Sequence, residues 1–108
     1  MSCGVYKIQL RDTELQYIGS SKQIAIRWES HIYDLQRNQH RNDRLQDLWN
    51  EYGGAAFDFI VLEECTRDQL LNREHAWSET ISIENRLNRK IPRSRDYTFT
   101  LVSSKDVT

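Results

Sequence analysis

Two tyrosines near the start of the chain, each accompanied by a glycine, have the clearest potential for chemistry. Tyr6 ends the segment Gly4-Val5-Tyr6, and Tyr17 begins the segment Tyr17-Ile18-Gly19. Residues 11–14 between them are polar and predict a hairpin turn, because β-type runs precede and follow them. This hairpin would place both phenols on adjacent antiparallel strands, so the pair predicts one wall of an active site.

Arg27 and His31 are the next candidates, because they lie four residues apart and would share one flank of a helix. Two basic groups at this spacing are able to bind one phosphate. The alternative is a half-exposed pair on an amphipathic helix, and the spacing alone favours that alternative.

Glu74 is out of place on its predicted helix, because it points with the apolar side chains of Leu70, Leu71 and Trp77. A carboxylate is rarely buried without a partner. Glu74 therefore needs a cation, which is either an arginine such as Arg27 or a metal ion.

Three further polar residues lie in less regular segments. His40 falls in the link between two predicted helices, where a lone histidine is most often a surface residue. Asn85 and Asn88 are surface or capping groups by default. Without a wider pattern, none of the three indicates a site.

Length and composition favour one soluble globular domain: the chain has 108 residues, 38% of them hydrophobic and 29% charged. No apolar run approaches the roughly 18 residues of a membrane span, and the start of the chain lacks a signal-peptide pattern. Cys3 and Cys65 match neither a metal knuckle nor a disulfide framework. We therefore expect reduced thiols, no membrane partner and a cytoplasmic location, associated with the nucleoid if the source is bacterial.

The charge balance is ambiguous. A formal net charge of −1 argues against nucleic-acid binding, yet the basic residues are clustered. Charge runs are most often solvated surface, and the alternative is a face turned towards a polyanion. In that alternative, the residues that contact nucleic acid are Arg37, Arg41, Arg44, Arg86, Arg89, Lys90 and Arg93.

Hydrophobic periodicity and capping residues predict a small α/β domain of the α+β type. Residues 1–91 are predicted to form the domain, and residues 92–108 a short C-terminal tail or an extra strand. The expected architecture is a small central three-stranded, mostly antiparallel sheet flanked by helices, in the order β-β-α-α-β-α-(α). The predicted strands are 4–10, 14–19 and 57–62, and the last of these is predicted to be the central strand. The predicted helices are 23–36, 43–52 and 84–90. A further helix is predicted to begin at a capping box formed by Thr66 and Gln69.

These residues together resemble the GIY-YIG nuclease family. Gly4-Val5-Tyr6 matches the first motif, with valine in place of the usual isoleucine, and Tyr17-Ile18-Gly19 matches the second. The family continues with an arginine and a histidine one turn apart on the first helix and a glutamate on a later helix, which here are Arg27, His31 and Glu74.

The resemblance covers roughly residues 3–91 and is closest to the homing-endonuclease branch. In that branch a histidine or tyrosine at the position of His40 belongs to the site, and a final asparagine matches Asn88, with Asn85 as the rival. Members usually carry a separate DNA-binding domain, so the expected partners here are DNA and, for sequence-specific targeting, a targeting partner protein.

The resemblance implies metal-dependent hydrolysis of DNA to 5′-phosphate and 3′-hydroxyl ends. It implies that Glu74 binds one divalent cation, Mg²⁺ or alternatively Mn²⁺, and that Arg27 binds the scissile phosphate. Tyr6 is the implied general base, which needs help because a free phenol has a pKa of about 10. His31 or Tyr17 would give that help.

Roles for the remaining residues also follow from the resemblance alone. Tyr17 would position the phosphate or the water, His40 would contact phosphate or relay a proton, and Asn88 would hold the metal-ligand region in place. Two other interpretations stay open: a catalytically inactive nucleic-acid-binding module of the same fold, and a purely structural α/β domain.

Overall fold

A computed structural model describes residues 2–88 as a three-stranded antiparallel sheet flanked by helices, which confirms the predicted α+β class. The predicted tail or strand in 92–108, and the candidate DNA contacts Arg89, Lys90 and Arg93, lie outside these residues. The strands are β1 (Gly4–Leu10), β2 (Gln16–Ser21) and β3 (Phe57–Glu64), the α-helices are α1 (Ile24–Gln36), α2 (Asp43–Tyr52) and α3 (Leu70–Ser78), and short 3₁₀ turns span Gly54–Ala56, Arg67–Gln69 and Ile83–Asn85.

The β1–β2 hairpin brings the two tyrosine motifs together as predicted. Tyr6 lies opposite Gly19, and Ile8 lies opposite Tyr17. Side chains alternate between the two faces of a strand, so both tyrosines emerge on the same face, two residues apart along the ladder. The turn is closed by Asp12 at a positive φ of 67°, a conformation that aspartate tolerates better than most residues.

The central strand is β1, and the prediction that residues 57–62 form the central strand was wrong. The sheet order is β2-β1-β3, so β3 is an edge strand. Ile60 and Val61 are 40% and 39% exposed, while Val5 and Ile8 in β1 are fully buried. An apolar run of this length is typical of a buried strand, but periodicity cannot tell a central strand from an edge strand that is covered over part of its length.

Helices α1 and α2 cover the face of the sheet that carries Tyr6. Leu35 and Leu45 are among the buried residues of this core. Asn42 is the N-cap of α2, because its side chain accepts a hydrogen bond from the backbone N–H of Leu45 at 2.9 Å. Gly53 ends α2 with a positive φ of 84°, which favours glycine.

Helix α3 packs against β1 and β2. The predicted capping box of Thr66 and Gln69 is present, but it closes a 3₁₀ turn from which the α-helix then begins. The prediction that Leu71 points inward was wrong, since this side chain is 63% exposed. Within residues 2–88, no helix has the length and apolarity needed to cross a membrane.

Candidate active site

A cavity of about 410 Å³ opens where β2, α1 and the link before α2 meet. It lies above the face of the sheet on which both tyrosines emerge. Six of the residues that the sequence singled out line it: Tyr17, Arg27, His31, His40, Arg41 and Asn88. The structure therefore brings together, in one cavity, groups that lie up to 71 positions apart in the chain.

Tyr6 lies beneath this cavity and is only 1% exposed. Its hydroxyl is 2.7 Å from Nε2 of His31, and its ring meets Trp28 edge-on at a centroid distance of 5.9 Å. Burial raises the pKa of Tyr6 above its ordinary value, and Tyr17 adds to that rise. The Arg27 guanidinium acts in the opposite direction and lowers the pKa of this phenol.

His31 and His40 form a pair of rings behind Tyr6 and Tyr17. His31 is 4% exposed, and its Nδ1 lies 2.7 Å from Nε2 of His40. Burial lowers the pKa of His31 to about 3. Burial also lowers the pKa of His40, although the nearby Asp34 carboxylate opposes that effect. Both rings are therefore neutral at physiological pH, and His40 is part of the cavity wall instead of the surface residue that a lone loop histidine suggests.

Tyr17 is the phenol that reaches the cavity. Its ring meets His31 edge-on at a centroid distance of 5.3 Å and His40 at 6.1 Å. Burial raises the pKa of Tyr17, while the charges of Arg27 and Arg41 lower it. This phenol is half-buried, so it meets solvent that Tyr6 does not.

Arg27 lies on the exposed side of α1, one turn before His31. Within residues 2–88, no carboxylate forms a salt bridge with it. The salt bridge from Glu74 to Arg27, which was the alternative to a metal ion, is therefore not formed. A guanidinium in this position presents its planar fork of donors to an incoming anion.

Glu74 approaches β2 from α3 and is tied to the strand by Ser20, whose hydroxyl donates to Oε1 at 2.6 Å. Burial raises the pKa of Glu74, and the Ser20 hydrogen bond and the Arg27 charge offset part of that rise. Its carboxylate is not among the groups that line the 410 Å³ cavity. Glu74 thus stands beside the cavity as a partly buried acid whose described partner is one hydroxyl.

The donor set fits one hard cation that keeps most of its water. Mg²⁺ is commonly bound through one or two carboxylates together with several waters. In the part of the chain that the structure describes, no group of three or more His, Cys, Asp or Glu residues could hold a metal ion. A closed zinc-type site is therefore absent from residues 2–88, and Glu74 is the carboxylate that would hold an ion beside the cavity.

Asn88 fixes the strand that carries Tyr17. Its side chain donates to the carbonyl oxygen of Ile18 at 2.7 Å and accepts from the N–H of Ile18 at 3.3 Å. Asn85, the rival candidate, is instead hydrogen-bonded to Ser82 in a 3₁₀ turn. Asn88 lines the cavity, and Asn85 does not.

The predicted basic contacts differ in their surroundings. Arg41 lines the cavity, and Arg37 is exposed above the ring of Tyr33 at 4.4 Å. Arg44 donates to the carbonyl oxygen of Arg86 at 2.8 Å. Arg86 itself is 8% exposed and donates to the carbonyl oxygen of Ile81 at 3.0 Å. The inclusion of Arg86 among DNA contacts was an error, because this guanidinium is used inside the protein.

A second groove of about 370 Å³ adjoins the cavity along α1, and sequence reasoning missed it. Arg27 and Ser30 line both spaces, and Lys22 adds a cation to the groove. Lys22 gave no signal because it is an isolated basic residue outside both clusters. Ser20, the partner of Glu74, was also missed as a site residue, although it directly follows the second tyrosine motif.

A guanidinium, two phenols, a neutral histidine pair and a partly buried carboxylate form the class of site that can hydrolyse a phosphodiester. The family described as the GIY-YIG catalytic domain matches residues 2–88. Intron-associated endonuclease 1 of Enterobacteria phage T4 is 31% identical over 84 residues, which cover 76% of this chain. The chain spans about a third, 34%, of the length of that relative.

Two solved structures are similar to this chain. A mutant form of the catalytic domain of intron endonuclease I-TevI has a TM-score of 0.72 and 31% identity, covering 79% of this chain and 90% of that one. The catalytic domain of homing endonuclease I-TevI has a TM-score of 0.68 and 30% identity, covering 73% and 87% respectively. The chain therefore belongs to the GIY-YIG family and carries its endonuclease domain.

Proposed function

We propose that this chain is a metal-dependent DNA endonuclease that leaves 5′-phosphate and 3′-hydroxyl ends. The observation that carries the proposal is the single cavity that collects Tyr17, Arg27 and His31, with the partly buried Glu74 beside it. The names of the related proteins support the activity, since each is called an endonuclease.

The phosphate would be bound by Arg27. Its guanidinium stays charged at any working pH and matches two phosphate oxygens with two parallel N–H donors. It also lies at the border between the cavity and the second groove, where a strand passing from one to the other must cross it. Charge that develops on the phosphate during attack is stabilised by this preorganised cation.

Exposure favours Tyr17 as the phenol that meets the attacking water. Tyr6, the expected base, is 1% exposed and lies under the cavity lining, whereas Tyr17 is part of the lining. Burial raises the pKa of Tyr17 too, and the nearby charges of Arg27 and Arg41 offset part of that rise. In this arrangement Tyr6 supports the site from below and is itself too buried to ionise readily.

The divalent ion of this family, Mg²⁺ or Mn²⁺, would be held by Glu74 and would neutralise charge on the phosphate and leaving oxygen when bound. The chemical step itself can be written for the residues of the chain. Tyr17 first loses its phenol proton to solvent, and its phenolate then takes a proton from water while the water oxygen forms a bond to phosphorus. The bond between phosphorus and the 3′ oxygen breaks, and that oxygen takes a proton from solvent.

DNA affinity would come mainly from phosphate contacts along the cavity and the second groove. Such contacts depend on salt and carry no sequence code. Arg41 in the cavity and Lys22 in the groove are placed on either side of Arg27, so together they mark a path for one strand. Arg37 on the exposed end of α1 is a further candidate contact.

The test is the nicking of supercoiled plasmid by the purified chain in Mg²⁺ and in EDTA, followed by treatment with DNA ligase. The proposal predicts nicks that appear only with the ion and that ligase reseals, because resealing requires a 5′-phosphate next to a 3′-hydroxyl. Nicking in EDTA, or nicks that ligase leaves open, would contradict it. DNA binding without cleavage would favour an inactive binding module.

A further inference from the structure

A single row of hydrogen bonds connects the backbone of Asn42 with the phenol of Tyr6. The amide nitrogen of Asn42 lies 3.0 Å from Nδ1 of His40. Nε2 of His40 lies 2.7 Å from Nδ1 of His31, and Nε2 of His31 lies 2.7 Å from the Tyr6 hydroxyl. The two imidazole planes are nearly parallel, at 20°, with centroids 5.0 Å apart.

The backbone N–H of Asn42, at one end of this row, can only donate a hydrogen bond. A backbone N–H is a donor and never an acceptor, so Nδ1 of His40 must present its lone pair to Asn42. A neutral imidazole carries one N–H, which must then be on Nε2 of His40. That N–H donates to Nδ1 of His31, so the N–H of His31 is on Nε2 and faces Tyr6.

We infer that His31 is a hydrogen-bond donor to Tyr6, and that the backbone amide of Asn42, acting through His40, sets this direction. The inference rests on the proposed function for its catalytic meaning and deepens it. His31 does not take the proton of Tyr6, and the phenol hydrogen of Tyr6 points away from His31. His40 and the Asn42 amide are positioning groups, because they act on Tyr6 through His31.

The opposite direction is disfavoured by the same geometry. If the Tyr6 hydroxyl donated to His31, then His31 would donate to His40, and His40 would carry its hydrogen on Nδ1. Two N–H groups would then face each other at the 3.0 Å contact between Asn42 and His40, with no acceptor between them. A doubly protonated His40 would meet the same conflict, which agrees with the neutral state of this buried pair.

The Asn42 amide cannot easily turn aside, because both ends of the link are anchored. The Asn42 side chain caps α2 through the N–H of Leu45 at 2.9 Å and donates to the carbonyl oxygen of Leu87 at 3.1 Å. The N–H of His40 donates to Oε1 of Gln46 at 2.9 Å, and Gln46 is itself 6% exposed. The direction of the row is therefore built into the backbone of the α1–α2 link.

The consequence for the site concerns the hydrogen of the Tyr6 phenol. Because the Tyr6 oxygen accepts from His31, its own hydrogen is free to serve another oxygen. A donor at this oxygen also favours the phenolate form of Tyr6 over a contact in which Tyr6 itself donates. His31 thereby orients the hydroxyl of Tyr6 without competing for its proton.

The direct test is the tautomeric state of the histidines by long-range ¹H–¹⁵N NMR at pH 7 on the full chain. The chain has three histidines, and the exposed His75 serves as the reference because it lies outside the row. The inference predicts that both His31 and His40 carry their single proton on Nε2. A proton on Nδ1 of either ring, or a cationic ring in the pair, would overturn it. This readout does not require nuclease activity, so it stands or falls separately from the proposed function.

A matched pair of variants tests the role of the amide. Asn42→Ala keeps the backbone N–H and loses the cap, whereas Asn42→Pro loses both. The inference predicts unchanged tautomers in Asn42→Ala and a mixture of His40 tautomers in Asn42→Pro, with cleavage at least about tenfold slower in the proline variant than in the alanine variant. Identical tautomers in both variants would overturn the role of the amide. If Asn42→Pro does not fold, the tautomers of the unaltered chain still decide the direction of the row.

Discussion

A methyl group on Gly19 would lie 2.5 Å from the hydroxyl oxygen of Tyr6, because the two residues face each other across the β1–β2 ladder. The second tyrosine motif thus ends in glycine so that the phenol of the first motif can lie against the strand. Gly19→Ala must displace the Tyr6 hydroxyl, which lies 2.7 Å from Nε2 of His31, and a misplacement of about 1 Å costs on the order of 100-fold in rate. We predict that loss in single-turnover cleavage, with about 1–3 kcal/mol lost in the free energy of unfolding.

Gly53→Ala is the matched control for this substitution. A Cβ on Gly53 would meet nothing within 4 Å, but the positive φ of 84° makes alanine strained there, at a cost of about 1–3 kcal/mol. Comparable destabilisation with unchanged cleavage is expected. Equal losses of activity in both variants would show that stability, and not the position of Tyr6, explains the effect.

The hydrogen bond from Ser20 to Glu74 predicts a change in metal requirement. Ser20→Ala leaves the buried carboxylate without its described donor, so the charged form is less favoured and the carboxylate holds a cation less well. Loss of such an outer-shell partner typically weakens metal binding by about 10–100-fold. We expect the Mg²⁺ concentration for half-maximal cleavage to rise by about tenfold or more.

Ser21→Ala provides the comparison for that experiment. Its hydroxyl accepts from the N–H of Gln23 at 3.0 Å and does not contact Glu74. The Mg²⁺ midpoint should stay at its original value in this variant. A midpoint that is equal in Ser20→Ala and the unaltered chain would argue against Glu74 as the carboxylate that holds the ion.

The path proposed for the DNA strand predicts the salt dependence of binding. In a Glu74→Gln background, Lys22→Ala and Arg41→Ala should each weaken binding and reduce the slope of log K against log salt by about one. Arg67→Ala is the control, since this exposed cation lies outside both spaces. A slope that changes equally for Arg67 and for Lys22 would show that net charge, and not the groove, determines binding.

The buried histidine pair predicts a loss of stability in acid. Burial lowers the pKa of His31 to about 3, against about 6.5 in the unfolded chain. Between these two pH values His31 is protonated in the unfolded state and neutral in the folded state. The contribution of His31 to the free energy of unfolding is therefore fully present above about pH 6.5 and is lost as the pH drops towards 3. The slope from one such group reaches about 1.4 kcal/mol per pH unit.

Denaturant unfolding between pH 5 and 6.5 measures this contribution before most carboxylates titrate. His31→Gln should flatten the dependence on pH in this range, although the variant is less stable at pH 7. His75→Gln is the comparison for removal of a histidine, because His75 is exposed and lies outside the buried pair. An unchanged slope in His31→Gln would contradict a neutral, buried His31.

Local patterns predicted much of this fold because they reflect local physics. The polar turn at 11–14 set the hairpin, and the cap at Asn42 and the stop at Gly53 set the limits of α2. The family resemblance grouped Tyr17, Arg27 and His31, which line one cavity, whereas the spacing of Arg27 and His31 alone favoured a half-exposed pair.

The remaining features depend on tertiary contacts that periodicity does not describe. An apolar strand is equally compatible with a central and an edge position, so β3 was misplaced. Arg86 bonds the carbonyl of Ile81 five residues earlier and is itself bonded by Arg44 from 42 residues earlier. The importance of His40 depends on the ring of His31, nine residues earlier. The exposure difference between Tyr6 and Tyr17 follows from what lies above the sheet, and adjacent strands alone do not determine it.

The central claim is that Glu74 supports metal-dependent cleavage in the cavity. The most direct measurement compares the substitution of Glu74 with that of Glu79, a nearby acid on the chain. Glu74→Gln keeps the shape of a carboxylate that is hydrogen-bonded to Ser20 and removes its charge, whereas Glu79→Gln removes an exposed charge paired with His75. We predict that Glu74→Gln slows Mg²⁺-dependent plasmid cleavage at least about 100-fold while DNA affinity is kept, and that Glu79→Gln cleaves at the original rate. Cleavage by Glu74→Gln at the rate of Glu79→Gln would contradict the account.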